Sequence, residues 1–435
     1  MGVDVLDTAG GLSTPVGTPA GAAEGAQAEG AKDEGAKDEG AQDEGGGGDV
    51  SLVFAAWPAW CARIALAVLA ALLVASAMVP VAKPGSRSPW SGPVEGPIPA
   101  AGKPGAAAKP YDEDIALYEA AIARIARGEA YYDFIVPEQR ARDYPVNPAI
   151  AVRLPTLAYL DAWLGAAGQI VAAIALMLGI IAAWWRKLGE AGISPRLRRM
   201  ATALVFVGAS LGLNRHYFPL HELWAGGLIA LAFGLHRIGG RGPKGRLQKG
   251  RWHAAFAAAA LALAIREHTL PFVLLLAVTA LWQRNWREAA AWSALVAVFL
   301  AALAWHVSLV SSQVLPSDPH SAPWLVLRGL SGWLGNVVQS SNLRWLPHWL
   351  SGPAVILMTF GWLGWNRKEG LFAFLLAAGY GVLFMAAGRW DNFYWGAMLA
   401  PVIFAGIAFA PRALRGLVVA ARIPNSPVNT VNRHP

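Results

Sequence analysis

Residues 167–187 read AGQIVAAIALMLGIIAAWWRK, a run without an ionisable side chain until Arg186 and Lys187 close it. An α-helix needs about 20 apolar residues to cross a bilayer core, and a tryptophan pair followed by basic residues suits the interface where such a helix ends on the cytoplasmic side. The same pattern recurs. Apolar runs lie at about 63–81, 200–214, 221–236, 253–266, 270–283, 289–306, 346–365, 371–387 and 395–412. The chain therefore reads as an all-α polytopic membrane protein with about ten transmembrane helices, several of them short for a full span. Its composition agrees: 55% of residues are hydrophobic, 15% are charged and 20 are tryptophan, a balance unusual for a soluble domain.

The ends of these runs are chemically unequal. One set carries Arg186/Lys187, Arg196/Arg198/Arg199, the segment Arg237 to Arg251, Arg284/Arg287, Arg367/Lys368 and Arg412/Arg415/Arg422. By the positive-inside rule these loops are cytoplasmic, as are both termini, and the protein belongs in an inner (cytoplasmic) membrane. The other set carries isolated acids, histidines and arginines, so chemistry is expected on the extracytoplasmic face. Two large outer loops, 82–166 and 307–345, cover that face, and Trp324 to Val338 suits an interfacial or re-entrant helix.

Domain boundaries follow composition. Residues 1–50 hold 11 acidic and two basic side chains, with pentads such as Gly30-Ala-Lys-Asp-Glu, and read as a disordered acidic cytoplasmic tail. Their net charge of −9 leaves +17 on the remainder against +8 for the whole chain. The basicity is topological, with no aromatic-interleaved basic stripe, so no nucleic-acid partner is expected. A transmembrane domain spans 51–420 and a short cytoplasmic tail 421–435. Cys61 is the one cysteine, which excludes an intramolecular disulfide and a cysteine-based zinc site.

After a Pro/Gly/Ala-rich linker at 83–110, residues 114–127 place Ile115, Tyr118, Ile122 and Ile125 on one face. An amphipathic helix is expected to lie along the outer membrane surface there, ended by Gly128 and followed by an aromatic-rich interfacial stretch. Asp112, Glu113 and Asp114 open it. A carboxylate there can act as a general base, or the three acids can simply cap the helix and complement its dipole. His221 and Glu222 offer imidazole and carboxylate ligands for a divalent metal, and they equally suit a polar interface. Arg153, Arg215, Arg266 and Arg389 sit at outer helix ends and can fork onto phosphate oxygens, or pair with neighbours such as Asp391. Trp390 and Trp395, which flank Asp391 to Tyr394, can stack on a sugar.

Taken in order, Asp114-Ile-Ala-Leu-Tyr118, Gly128-Glu-Ala-Tyr-Tyr132, Arg153-Leu-Pro-Thr-Leu-Ala-Tyr159 and Gly388-Arg-Trp-Asp-Asn-Phe-Tyr-Trp395 followed by Ala400-Pro401 resemble the GT-C superfamily of polytopic glycosyltransferases. The branch is that of protein O-mannosyltransferases and aminoarabinose transferases. The resemblance implies transfer of a sugar from a polyprenyl-phosphate donor in the lipid bilayer to an extracytoplasmic glycan, lipid or protein acceptor, with inversion. It makes Asp114 the base, Asp112 and Glu113 supporting acids, and the four arginines phosphate binders. Tyr118, Asp391 and Tyr394 become contacts to acceptor or sugar. Some members use a divalent metal ion, which gives His221 and Glu222 a ligand role. The chain departs from the family in the linker before Asp114 and in the reduced Leu154-Pro-Thr-Leu157 element. Two other classes remain open, a transporter or flippase of a lipid-linked saccharide and a non-catalytic envelope-assembly scaffold.

Overall fold

A computed structural model describes residues 53–81, 110–241, 247–248 and 251–422. The expected acidic tail, the linker before Pro110, the lysines of the 242–250 segment and the last residues of the chain lie outside them, as do the side chains of Asp112 and Glu113. The described chain is essentially all helical, with one two-residue antiparallel pairing of β1 (Gly240–Arg241) and β2 (Leu247–Gln248).

Four helical stretches are long and apolar enough to cross a membrane: Ala59–Met78, Ala149–Glu190, Trp286–Ser311 and Lys368–Ala386. They contain α1 (Ala59–Met78), α4 (Thr156–Glu190), α9 (Trp286–Ser311) and α12 (Arg367–Ala386). Their unpacked faces are apolar, with Val74, Val171, Leu178, Val298 and Val382 all exposed, as bilayer-facing helices require. Between them lie shorter apolar helices, α6 (His221–Leu235), α7 (His253–Ile265) and α8 (Leu270–Trp282). Helix α6 is apolar all round and packs between α4 and α7, so its sequence shows no amphipathic stripe.

Two elements differ from the sequence expectation. The stretch at 131–144 forms α3 (Tyr131–Ala141), which Pro137 inside it had concealed. The expected span 395–412 is broken into a 3₁₀ segment (Trp390–Met398), α13 (Ala400–Ile403) and α14 (Gly406–Arg422). The remaining helices are α2 (Pro110–Ala126), α5 (Pro195–Ala209), α10 (Gly329–Gln339) and α11 (His348–Gly361). Helix α2 ends near Gly128, whose φ of +92° few other residues tolerate, and α10 covers the later part of the expected Trp324–Val338 helix.

One large core runs through the bundle, with Trp184, Phe233, Trp362, Trp365 and Phe409 packed ring against ring. A second, smaller core joins α3, the 146–152 segment and the end of α9 through Phe134, Val146, Val152 and Val310. It gives α2 a floor. Helix α2 lies over the start of α4 and touches the 217–223 segment through Tyr118 and Leu220.

Close helix packing rests on small residues. A Cβ at Gly406 would fall inside the carbonyl of Met358, whereas one at Gly379 would meet open space. Backbone cannot yield as a flexible side chain does, so Gly406→Ala should cost about 1–3 kcal/mol. Gly379→Ala should stabilise α12 by up to about 1 kcal/mol through helix propensity. Thermal unfolding of the two purified variants should move in opposite directions; equal shifts would contradict the packing.

Candidate functional site

At one end of the bundle, four segments distant in sequence bring ionisable side chains together. Asp114 comes from α2, Arg153 from the turn before α4, His221 and Glu222 from the first turn of α6, and Arg266, Glu267 and His268 from the connection between α7 and α8. Tyr394 joins them from the 3₁₀ segment. Each position is fixed by local chemistry. Tyr131 donates from its hydroxyl to the Arg153 carbonyl at 2.7 Å, which holds the turn below α2. The Tyr380 hydroxyl donates to the His268 carbonyl at 2.7 Å, and the His268 ring lies 4.3 Å from that of Trp395.

The four arginines assigned to phosphate have different fates. Arg266 is fully buried between Glu222 at 2.7 Å and Glu267 at 2.6 Å, so two carboxylates consume its charge. Arg389 is held by Asp391 at 3.1 Å and by Ser321 and the Ala322 carbonyl, and it ties the 321–322 strand of chain to the late segment. Arg215 is exposed, in a short 3₁₀ turn beside His216. Arg153 differs from all three. Its guanidinium donates to the phenolic oxygens of Tyr118 at 3.0 Å and Tyr394 at 3.3 Å, and among the described residues it makes no salt bridge. A cation held by two neutral phenols keeps further donors that an anion could engage.

Asp114 shares this environment. The Tyr394 hydroxyl hydrogen-bonds its carboxyl group, and burial raises its pKa from the ordinary 3.8 to about 6, against the opposing pull of Arg153. Burial likewise pushes the Tyr118 hydroxyl up to about 12, so it stays a neutral donor. A carboxylate with a pKa near 6 is ionised at neutral pH yet basic enough to take a proton. Asp391, expected to contact sugar or acceptor, is engaged by Arg389 and contributes to the local negative field at Asp114.

His221 is buried with both ring nitrogens lacking a hydrogen-bond partner, and its ring lies 5.1 Å from that of Tyr118. The imidazole is therefore available as a ligand, whereas Glu222 is committed to Arg266. Among the described residues no three His, Cys, Asp or Glu side chains are grouped to hold a metal ion. Two polar groups outside the sequence expectation also belong here. Arg328 donates to the Arg389 carbonyl at 2.5 Å and to Asn336 at 2.7 Å, bracing the late segment. Asp161, near the start of α4, is buried with neither carboxylate oxygen partnered.

Two measurements check this arrangement. Arg266→Met leaves two buried carboxylates uncompensated and should cost about 3–5 kcal/mol, against a change within about 0.5 kcal/mol for exposed Arg215→Met. Denaturant unfolding should separate the two; similar losses would contradict the burial. The second concerns Asp114, whose pKa is raised on folding. Such a carboxyl opposes folding once ionised, with a cost that grows from about pH 4 to pH 6 and then stays constant. Asp114→Asn should raise the melting temperature at pH 7.5 more than at pH 4.5.

No protein-family model, curated protein or solved structure matches the chain.

Proposed function

We propose that the protein is a GT-C-like membrane glycosyltransferase that moves a sugar from a polyprenyl-phosphate donor to an acceptor hydroxyl on the extracytoplasmic side of the cytoplasmic membrane. One observation carries the reading: Asp114 and Arg153, a basic carboxylate and a guanidinium that makes no salt bridge among the described residues, meet at the same Tyr394 hydroxyl. A base and an anion holder side by side suit a displacement in which a phosphate leaves.

In that step the Asp114 carboxylate takes the proton of the acceptor hydroxyl. The acceptor oxygen forms a bond to the anomeric carbon as the bond from that carbon to the phosphate oxygen breaks, and the electron pair leaves with the polyprenyl phosphate. Arg153 meets the charge on the departing phosphate, and Tyr118 and Tyr394 hold Arg153 in place. A single displacement inverts the anomeric centre. An apolar groove lined by Leu176, Met177, Gly208, Leu223 and Gly227 opens beside Trp224, one turn beyond His221, and suits an isoprenoid tail lying next to the site. A divalent ion, if bound through His221, would supply Lewis acidity toward the phosphate. With Glu222 paired to Arg266, no step is routed through it.

The reading is tested by transfer of label from a panel of polyprenyl-phosphate sugars to envelope extracts. Asp114→Asn should lower turnover by about 10²–10⁴-fold, the span of a general base. Wild-type turnover should fall tenfold per unit below about pH 6, where Asp114 becomes protonated. Arg153→Met should lose transfer while Arg215→Met keeps it. Full transfer by the Asp114→Asn protein would overturn the base, and chelator sensitivity would bring His221 forward as a ligand.

A further inference from the structure

Beneath α2 lies a small cavity bordered by Tyr118, Gln139, Arg153, Asp161 and His221, with an otherwise mostly apolar wall. It has room for little more than a water molecule. Its polar border is unsatisfied: both oxygens of Asp161 and the side-chain oxygen of Gln139 are buried without a hydrogen-bond partner. Asp161 makes no ion pair among the described residues, and Arg153 on the same border spends only two of its five donors on tyrosines. A buried carboxyl group without a hydrogen-bond partner is costly. Among the described residues Asp161 and Arg153 make no salt bridge with each other, so one ligand can engage both.

We propose that this cavity receives the ammonium group of a phosphoethanolamine-type head group, with the ammonium at Asp161 and Gln139 and the adjoining phosphate at Arg153. A primary ammonium group is the size of a water molecule and offers three donors to the three unpartnered oxygens. A trimethylated ammonium group has no donor and does not fit. The depth in the membrane agrees. Asp161 lies before the break in α4 at Gly165, and its neighbours Tyr159 and Trp163 are exposed, the latter at 82%, as aromatic side chains at head-group level are. Arg153 then holds a resident lipid phosphate at rest and the donor phosphate during turnover. The inference shares with the transfer reading only the assignment of Arg153 to phosphate, and it stands whether or not a sugar is transferred.

The test uses the full-length purified protein in detergent, with melting temperature followed against added short-chain phosphatidylethanolamine, phosphatidylcholine or phosphatidylglycerol. Phosphatidylethanolamine should give a saturable rise that the other two do not. Asp161→Asn, which keeps the shape and removes the charge, should weaken that binding about ten- to a hundredfold, the scale of a lost charge-assisted hydrogen bond. Soluble phosphoethanolamine separates the sources: a matching rise would identify the head group alone as the ligand, and its absence beside a lipid response would identify the bilayer lipid. Equal responses to ethanolamine and choline lipids in the wild type would overturn the proposal. So would an Asp161→Asn protein that keeps the preference, because Asp161 would then be only a buried acid. Neither result alters the outcome of the label-transfer assay.

Discussion

The buried guanidinium of Arg266 is the constraint on which this end of the molecule depends. With no exposed surface and two acids within 2.7 Å, it fixes the first turn of α6 to the connection between α7 and α8. Removing Arg266 leaves both acids without their shared counter-charge, so the cluster depends on it. Other elements are hung from it. The turn that carries Glu267 also presents the His268 carbonyl to Tyr380 of α12 and the His268 ring to Trp395. Tyr394 is the residue before Trp395, and through that short chain of contacts the late segment is brought to Asp114 and Arg153.

Much of this was legible in the sequence because local pattern encodes it. The apolar runs at 221–236, 253–266 and 270–283 correspond to α6, α7 and α8 within a residue at each end, and the three- and four-residue spacing in 114–127 corresponds to α2. Arg153 could be singled out because an arginine at an expected outer helix end is locally anomalous, whereas Asp114 and Tyr118 stood out only through the resemblance of the run Asp114-Ile-Ala-Leu-Tyr118. Pairing was not legible. Nothing near Arg266 shows that its partner is Glu222, 44 positions earlier, nor that Arg389 is held by Ser321 and Ala322. Four arginines that look alike in sequence are therefore separated only by tertiary contact. Asp161 was similarly hidden, since an acid just before an apolar run reads as interfacial until burial on every side is seen.

The two ends of the bundle settle their charges differently. At the far end, Lys187 of α4 pairs with Glu369 of α12 at 2.8 Å and donates to the His236 carbonyl at 2.6 Å. His236 meets Glu288 of α9 at 2.6 Å, and Asn285 and Trp292 donate to the same carboxylate. There Lys187 has a protein counter-charge in Glu369 and the Glu288 carboxylate is hydrogen-bonded by three side chains, and the network joins the ends of four helices. At the Asp114 end, Arg266 and Arg389 are likewise paired, whereas among the described residues Arg153 makes no salt bridge and the side-chain polar atoms of Asp161 and His221 have no hydrogen-bond partner.

That contrast separates a structural role from a binding one. Unsatisfied polar groups inside an apolar protein cost stability, so those that persist call for an explanation. Three polar groups border one cavity, Arg153, Asp161 and His221, and Arg153 shares the Tyr394 hydroxyl with Asp114. In the two proposals Arg153 meets a phosphate, Asp161 an ammonium group and Asp114, poised near pH 6, an acceptor proton. The apolar groove at Trp224 would then give a lipid tail a place beside them. Lipid phosphate is the chemistry common to the two proposals, and neither has to be inferred from the other.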